Sequence, residues 1–291
     1  MEKLKVGIIG PGNIGIDLMM KIKRSPYLET RCVVNIKESE GLDIARNMGA
    51  DASAGGVDYM IVNHPDLDIV FDATSASAHV NAAPKLKQAG YFTIDLTPAA
   101  VGPYCVPTVN LTEEMLNMDN VNMVTCAGQA TVPVVAAINK AADVVYAEVV
   151  SSISSMSAGP GTRANIDEFT VTTRQALEQV GGADNAKVII VLNPAEPPIF
   201  MRNTIYTKVK RTDIEAIRSA VEDCVKELNT FVPGYKILLE PIIQDDIVTT
   251  MIQVEGLGDY LPVYSGNLDI ITSAAVNIAE KKAQQLAGGA K

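Results

Sequence analysis

The chain has 291 residues, 47% hydrophobic and 20% charged, with a net charge of −10. That length allows two domains with buried cores, and the acidic balance excludes nucleic acid as main partner, since neutralising phosphates takes clustered Lys and Arg. No run of eighteen apolar residues offers a membrane span, and the N-terminus lacks the apolar core of a secretory signal, so a cytoplasmic protein is expected.

Lys5–Gly10 reads as a buried strand. Gly10-Pro-Gly-Asn-Ile-Gly15 follows, and a helical run from Ile16 to Lys23 comes next. This is GxGxxG between strand and helix, the setting in which it binds a dinucleotide: free N–H groups at the helix start face the pyrophosphate. A second strand is expected over Arg31–Ile36. Its end carries Asn35, Ile36 and Lys37 rather than an acid for the adenosine ribose, so NAD is expected and NADP stays open. Strands follow at Leu67–Phe71, Tyr91–Leu96 and Val121–Val124, with a helix over Ala78–Ala89 interrupted by Pro84. Such alternation predicts an α/β, Rossmann-type doubly wound parallel sheet. The Asp72-Ala-Thr-Ser loop lies at a strand's carboxyl end, where ligands sit in such sheets. His79, at a helix start, reads as structural, and His64 as a surface residue. Beyond Ala147 the pattern changes to strands near Ala147–Ile153, Val188–Leu192, Ile205–Lys210, Ile237–Ile243 and Val248–Val254. Helices are expected from a capping box at Asn165–Glu168 to Gly181-Gly182, over Asp213–Leu228 and over Leu268–Leu286. This predicts a second, α+β domain.

The cysteines Cys32, Cys105, Cys126 and Cys224 are widely spaced, so neither disulfides nor a metal site is indicated. Cys32, Cys105 and Cys224 read as core residues. Cys126 lies in Asn122-Met-Val-Thr-Cys-Ala-Gly-Gln-Ala-Thr-Val-Pro133, between a strand and a helix, among small residues. A helix N-terminus lowers a thiol's pKa and favours an oxyanion beside it. Core cysteine and nucleophile remain open from this setting alone. The upstream nucleotide motif favours the nucleophile, because a thiolate with NAD oxidises aldehydes through a thioester.

Several longer stretches carry a resemblance: Phe71–Val80 (FDATSASAHV), Asp95–Pro107, Asn120–Thr131, Ser157–Thr170, Asn193–Pro198 and Tyr260–Ala275. With the glycine motif they make the sequence resemble the acylating acetaldehyde dehydrogenases that act with 4-hydroxy-2-oxovalerate aldolase in aromatic catabolism. The resemblance implies NAD-linked conversion of acetaldehyde, or propanal, and coenzyme A to the acyl-CoA. By it, Cys126 is the catalytic nucleophile and Pro11, Gly12, Asn13 and Ile14 match the phosphate loop. Ser157, Ala158, Gly159, Pro160, Gly161, Thr162, Arg163, Ala164 and Asn165 match a second cofactor loop, and Asn267 an asparagine near the nicotinamide. It further implies a homodimer. Residues 1–125 with 266–291 would form the dinucleotide-binding domain, and 126–265 the catalytic and dimerisation domain. Two departures stand out. The family's Met-Arg-x-Thr-x-Tyr stretch carries an aspartate as base, where this chain has Asn203, and the segment from Tyr235 to Gly256 is shorter than the family implies. No histidine follows Cys126, which counts against a phosphorylating semialdehyde dehydrogenase; a non-catalytic NAD-binding homologue is the other alternative.

Overall fold

The computed structural model describes residues 2–159, 162–163 and 165–288. These divide into two units. One holds the residues up to Cys105, Leu111–Met123 and those from Thr272; the other holds Val106–Asn110 and Val124–Ile271.

The first unit is built on a parallel sheet of order β3-β2-β1-β4-β5-β6. Its strands are β1 (Leu4–Ile9), β2 (Leu28–Val34), β3 (Asp51–Ser53), β4 (Ile69–Asp72), β5 (Phe92–Asp95) and β6 (Asn120–Asn122). Val6, Ile8, Val33, Val70 and Ile94 are fully buried, as expected of strands covered on both faces. The connecting helices are α1 (Asn13–Arg24), α2 (Glu40–Asn47), α3 (Gly56–Asn63) and α4 (Ala76–Ala89). Ile16, Leu18, Met19 and Ile22 form the buried stripe of α1. The doubly wound Rossmann-type sheet is thus present. The second strand lies earlier than expected, and β3, α2 and α3 escaped the sequence reading. Pro84 does not interrupt its helix: α4 runs through it and ends at Gly90 in a left-handed cap.

The second unit is a mixed sheet of order β10-β11-β9-β7-β8. It comprises β7 (Val144–Ser154), β8 (Asn185–Asn193), β9 (Met201–Val209), β10 (Tyr235–Gln244) and β11 (Ile247–Val254). β7 and β8 are parallel; the remaining pairs are antiparallel. Along β9 the side chains alternate. Met201, Asn203, Ile205, Thr207 and Val209 are buried, while Arg202, Tyr206 and Lys208 are exposed. Helices α5 (Cys126–Ala142) and α7 (Ile214–Leu228) pack on this unit, as does α6 (Ile166–Gln179). Asn165 stands at the N-cap of α6, but its side chain makes no cap hydrogen bond, so the expected capping box does not form. The helix α8 (Gly266–Gly288) closes the chain.

Candidate active site

In the first unit, the turn after β1 follows the chemistry of its glycines. Gly10 has φ +86°, and a Cβ there would stand 2.9 Å from the Ala73 carbonyl oxygen. A Cβ on Gly15 would lie 2.3 Å from the Gly10 oxygen, so helix and strand approach too closely for any side chain. Gly12 caps α1 without a side-chain hydrogen bond, nothing lies within 4 Å of its Cβ position, and no acidic residue occupies the first turn. Pro11 is buried, whereas Gly12 and Asn13 are exposed and Ile14 is partly so. The N–H groups at this helix start are open to an anion, as a pyrophosphate requires. Beside the turn is a cleft of about 650 Å³ lined by Gly10, Asn35, Gly56, Asp72 and Thr74 among others. Asn35, Gly56 and Thr74 line this cleft but were not among the cofactor residues expected from the sequence. Thr74 lies in the Asp72-Ala-Thr-Ser loop that pointed to a ligand, but Gly56 follows a strand of only three residues, too short for a periodicity signal.

His79 is fully buried behind this loop. Its Nδ1 lies 2.9 Å from Asp72 Oδ2, its Nε2 3.4 Å from Asp95 Oδ2, and Asn120 Nδ2 is 2.9 Å from Nε2. Burial pulls the imidazole pKa down, but the Asp72 hydrogen bond and the two carboxylates outweigh it and hold it above its ordinary value. These contacts tie α4 to the ends of β4 and β5 and to the start of β6, the kind of buried hydrogen bonding its sequence setting suggested. His64 is paired rather than a bare surface residue, with Nε2 2.7 Å from Asp51.

In the second unit, Cys126 is the first residue of α5. Val124, just before it, has φ +61°, a costly conformation for a β-branched residue. The turn is locked from two sides. Thr125 Oγ1 accepts from Gly128 N at 2.9 Å and pairs with Thr173 Oγ1 at 2.7 Å. A Cβ on Gly128 would come within 2.5 Å of Val124 Cγ1. The N–H groups of Cys126 and Ala127 act on the thiol and pull its pKa down, but burial dominates and pushes it up to about 12. This corrects the expectation of an acidic thiol: the helix N-terminus is present, and desolvation outweighs it. Cys32 and Cys105 are fully buried and likewise pushed up to about 12.

Two contacts fix how α5 lies on the sheet. Tyr235 Oη donates to the Ala130 carbonyl at 2.6 Å, and Tyr235 is in register with Val254 and hence Met201. At the other end, Lys210 N donates to the Ala142 carbonyl at 3.0 Å. Helix and β9 therefore run in the same sense, with the first turns of α5 toward the end of β9 that carries Met201 and Asn203. Asn203 is fully buried, and neither of its amide atoms has a hydrogen-bond partner; nor does Oγ of Ser151, its neighbour on β7. Asn267, on the first turn of α8, is 1% exposed and equally unpartnered. Orphaned amides of this kind are costly and mark places where a ligand or water completes the bonding. Within the second loop, Ser157 and Ala158 are buried and Gly159 and Thr162 partly so. Arg163 closes the loop on itself through the carbonyls of Ala158 (3.0 Å) and Ser155 (2.8 Å). Pro160, Gly161 and Ala164 lie outside the described residues.

Residues 5–117 match the family described as semialdehyde dehydrogenase, NAD binding domain. Residues 126–262 match the one described as prokaryotic acetaldehyde dehydrogenase, dimerisation. An acetaldehyde dehydrogenase of Carboxydothermus hydrogenoformans is 61% identical over 286 residues, covering 98% of this chain and 95% of that protein. The chain belongs to the acetaldehyde dehydrogenase family. A further acetaldehyde dehydrogenase, from Desulfitobacterium hafniense, is 54% identical over 99% of both chains. Among solved structures, aspartate semialdehyde dehydrogenase II from Vibrio cholerae, complexed with ASA, superposes with a TM-score of 0.66. It covers 96% of this chain and 98% of its own at 13% identity, which establishes the shared fold. Among the described residues, no helix is long and apolar enough to cross a membrane.

Proposed function

We propose that this member of the acetaldehyde dehydrogenase family oxidises acetaldehyde, or propanal, with NAD and transfers the acyl group to coenzyme A through a thioester on Cys126. The reading rests chiefly on the Cys126 turn: a thiol at a helix start, held by a strained Val124, with two backbone N–H groups directed at it. The Cys126 sulfur adds to the aldehyde carbon, and its proton passes to water, because the Asn203 amide cannot accept one. The Cys126 and Ala127 N–H groups stabilise the resulting oxyanion. Bound NAD+ supplies the hydride acceptor that turns the thiohemiacetal on Cys126 into a thioester. Attack by the coenzyme A thiol releases the acyl-CoA and returns the Cys126 thiol.

The phosphate groups of the nucleotide fit the start of α1, held by Pro11, Gly12, Asn13 and Ile14. The unpartnered amide of Asn267 matches the nicotinamide's carboxamide, and the loop from Ser157 to Asn165 is assigned to the cofactor. The outward face of the second sheet exposes Val191, Tyr206, Leu238, Ile242 and Ile247, an apolar patch suited to a homodimer interface. The partner that supplies the aldehyde is read as a 4-hydroxy-2-oxovalerate aldolase.

The test is NADH formation from acetaldehyde and NAD+, with and without coenzyme A, in wild type, Cys126→Ala and Asn203→Asp. Turnover that requires coenzyme A and disappears in Cys126→Ala supports the reading; a faster Asn203→Asp assigns the missing base to that position. Turnover unchanged by Cys126→Ala, or driven by phosphate in place of coenzyme A, overturns it. Asn203 also favours a second reading, a non-catalytic NAD-binding homologue. That reading prevails if NAD binds and no variant turns over.

A further inference from the structure

One wall of the cleft beside Gly10 is held from behind by a buried histidine. Asp72 ends β4 and is fully buried, in register with Ile9 of β1 and Asp95 of β5. Its two carboxylate oxygens serve different partners. Oδ1 accepts from Thr74 N at 3.0 Å and from Thr74 Oγ1, while Oδ2 lies 2.9 Å from His79 Nδ1. A carboxylate only accepts, so Nδ1 carries the proton in that bond. Thr74 is thereby held against the glycine turn: a Cβ on Gly10 would meet Thr74 Cγ2 at 2.8 Å. Thr74, Ser75 and Ala78 all line the cleft. Ala73 N fixes the start of the loop on the Ile9 carbonyl at 2.9 Å.

His79 itself does not line the cleft. Its ring is fully buried, and its other nitrogen faces Asn120 Nδ2 at 2.9 Å and Asp95 Oδ2 at 3.4 Å, which anchor it to β6 and β5. Without the Nδ1 donor, Asp72 Oδ2 would be left a buried acceptor short of its bond, and the carboxylate would turn to recover one. That turn takes Oδ1 away from Thr74 and releases Thr74 from Gly10. We propose that His79 is a positioning residue for the dinucleotide: through Asp72 it holds Thr74 against the phosphate turn. The inference rests on the cleft beside Gly10 being the nucleotide site. A cleft wall that is in place only part of the time weakens binding in proportion to that fraction.

Asparagine and glutamine each keep half of the imidazole: the Asn amide reaches the place of Nδ1, the Gln amide that of Nε2. NADH affinity is read by fluorescence titration of the full chain, and stability by urea titration of the same samples. Both His79→Gln and His79→Asn shrink a buried side chain and are expected to lower the urea midpoint. His79→Gln, which takes the donor from Asp72, is expected to weaken NADH about fivefold or more, whereas His79→Asn stays within about twofold of wild type. Thr74→Val keeps the side-chain shape and loses the hydroxyl bond to Asp72, for a loss of about threefold. Thr74 is exposed, so this variant folds and tests the link to Asp72 whatever the His79 variants do. Because both losses pass through Asp72, His79→Gln combined with Thr74→Val is expected to weaken NADH about fivefold, not the roughly fifteenfold of independent sites. The proposal falls if the two His79 variants bind NADH alike, if Thr74→Val binds with wild-type affinity, or if the two losses multiply. A wild type that binds no NADH would overturn the nucleotide reading itself, and the proposal with it.

Discussion

Alkylation of the native chain decides which force governs Cys126. A helix N-terminus favours the thiolate by up to about 2 kcal/mol, near 1.5 pKa units. Burial acts the other way and takes the thiol from its ordinary 9.0 up to about 12. At pH 8 the thiolate fraction is then about one in ten thousand, against about one in ten for an ordinary thiol, so reaction slows roughly a thousandfold. With iodoacetamide at pH 8 and mass spectrometry of the Cys126 peptide, the native chain should label about three orders of magnitude more slowly than the same peptide after unfolding. Labelling of Cys126 at the rate of a free thiol would refute the argument, because the helix start would then outweigh desolvation.

The same displaced thiols make stability depend on alkaline pH. Folded Cys32, Cys105 and Cys126 keep protons that the unfolded chain releases above its ordinary 9.0. Their contribution is fully present below pH 9 and lost as pH rises toward 12, about 1.4 kcal/mol for each thiol by pH 10; the chemical denaturation midpoint should fall between pH 8.5 and 10, and a flat profile would contradict this. Gly128→Ala sets a methyl 2.5 Å from Val124 Cγ1; overpacking of about 1–3 kcal/mol against a helix-propensity gain of about 1 predicts a net loss in calorimetry. Tyr235→Phe removes the buried 2.6 Å bond to the Ala130 carbonyl and should cost about 1–2 kcal/mol in urea titration; no loss would mean that α5 is not pinned there.

Elements with long apolar runs or sharp punctuation were legible in the sequence. GPGNIG between a strand and a helix announced the nucleotide turn, and the structure shows why its glycines stand at Gly10 and Gly15. The turn at Cys126 was legible too, as a lone thiol among small residues. What stayed hidden depends on distant packing. The three residues of β3 carry no period, so the wall holding Gly56 could not be foreseen. The left-handed conformation of Val124 is unusual for its residue type and leaves no signal in the sequence. Pro84 looked like a break, but α4 forms regardless because its other residues pack on the sheet and Gly90 caps it. The thiol's protonation was misjudged because the helix start is visible in the sequence, whereas the burial around it is not.

The hairpin between β10 and β11 turns on two residues, Asp245 and Asp246, with Gln244 facing Ile247 and Asp245 at φ +55°. Strand pairing on either side sets the register, so the tip carries little of the fold's specificity. Lengthening such a turn from two to sixteen residues is three doublings, about 0.6 kcal/mol each, or roughly 2 kcal/mol in all. That is a small cost beside the stability of a domain this size. The tip is thus a graft point: a foreign loop, an affinity tag or a reporter peptide can be spliced between these two aspartates while the sheet behind them keeps its pairing.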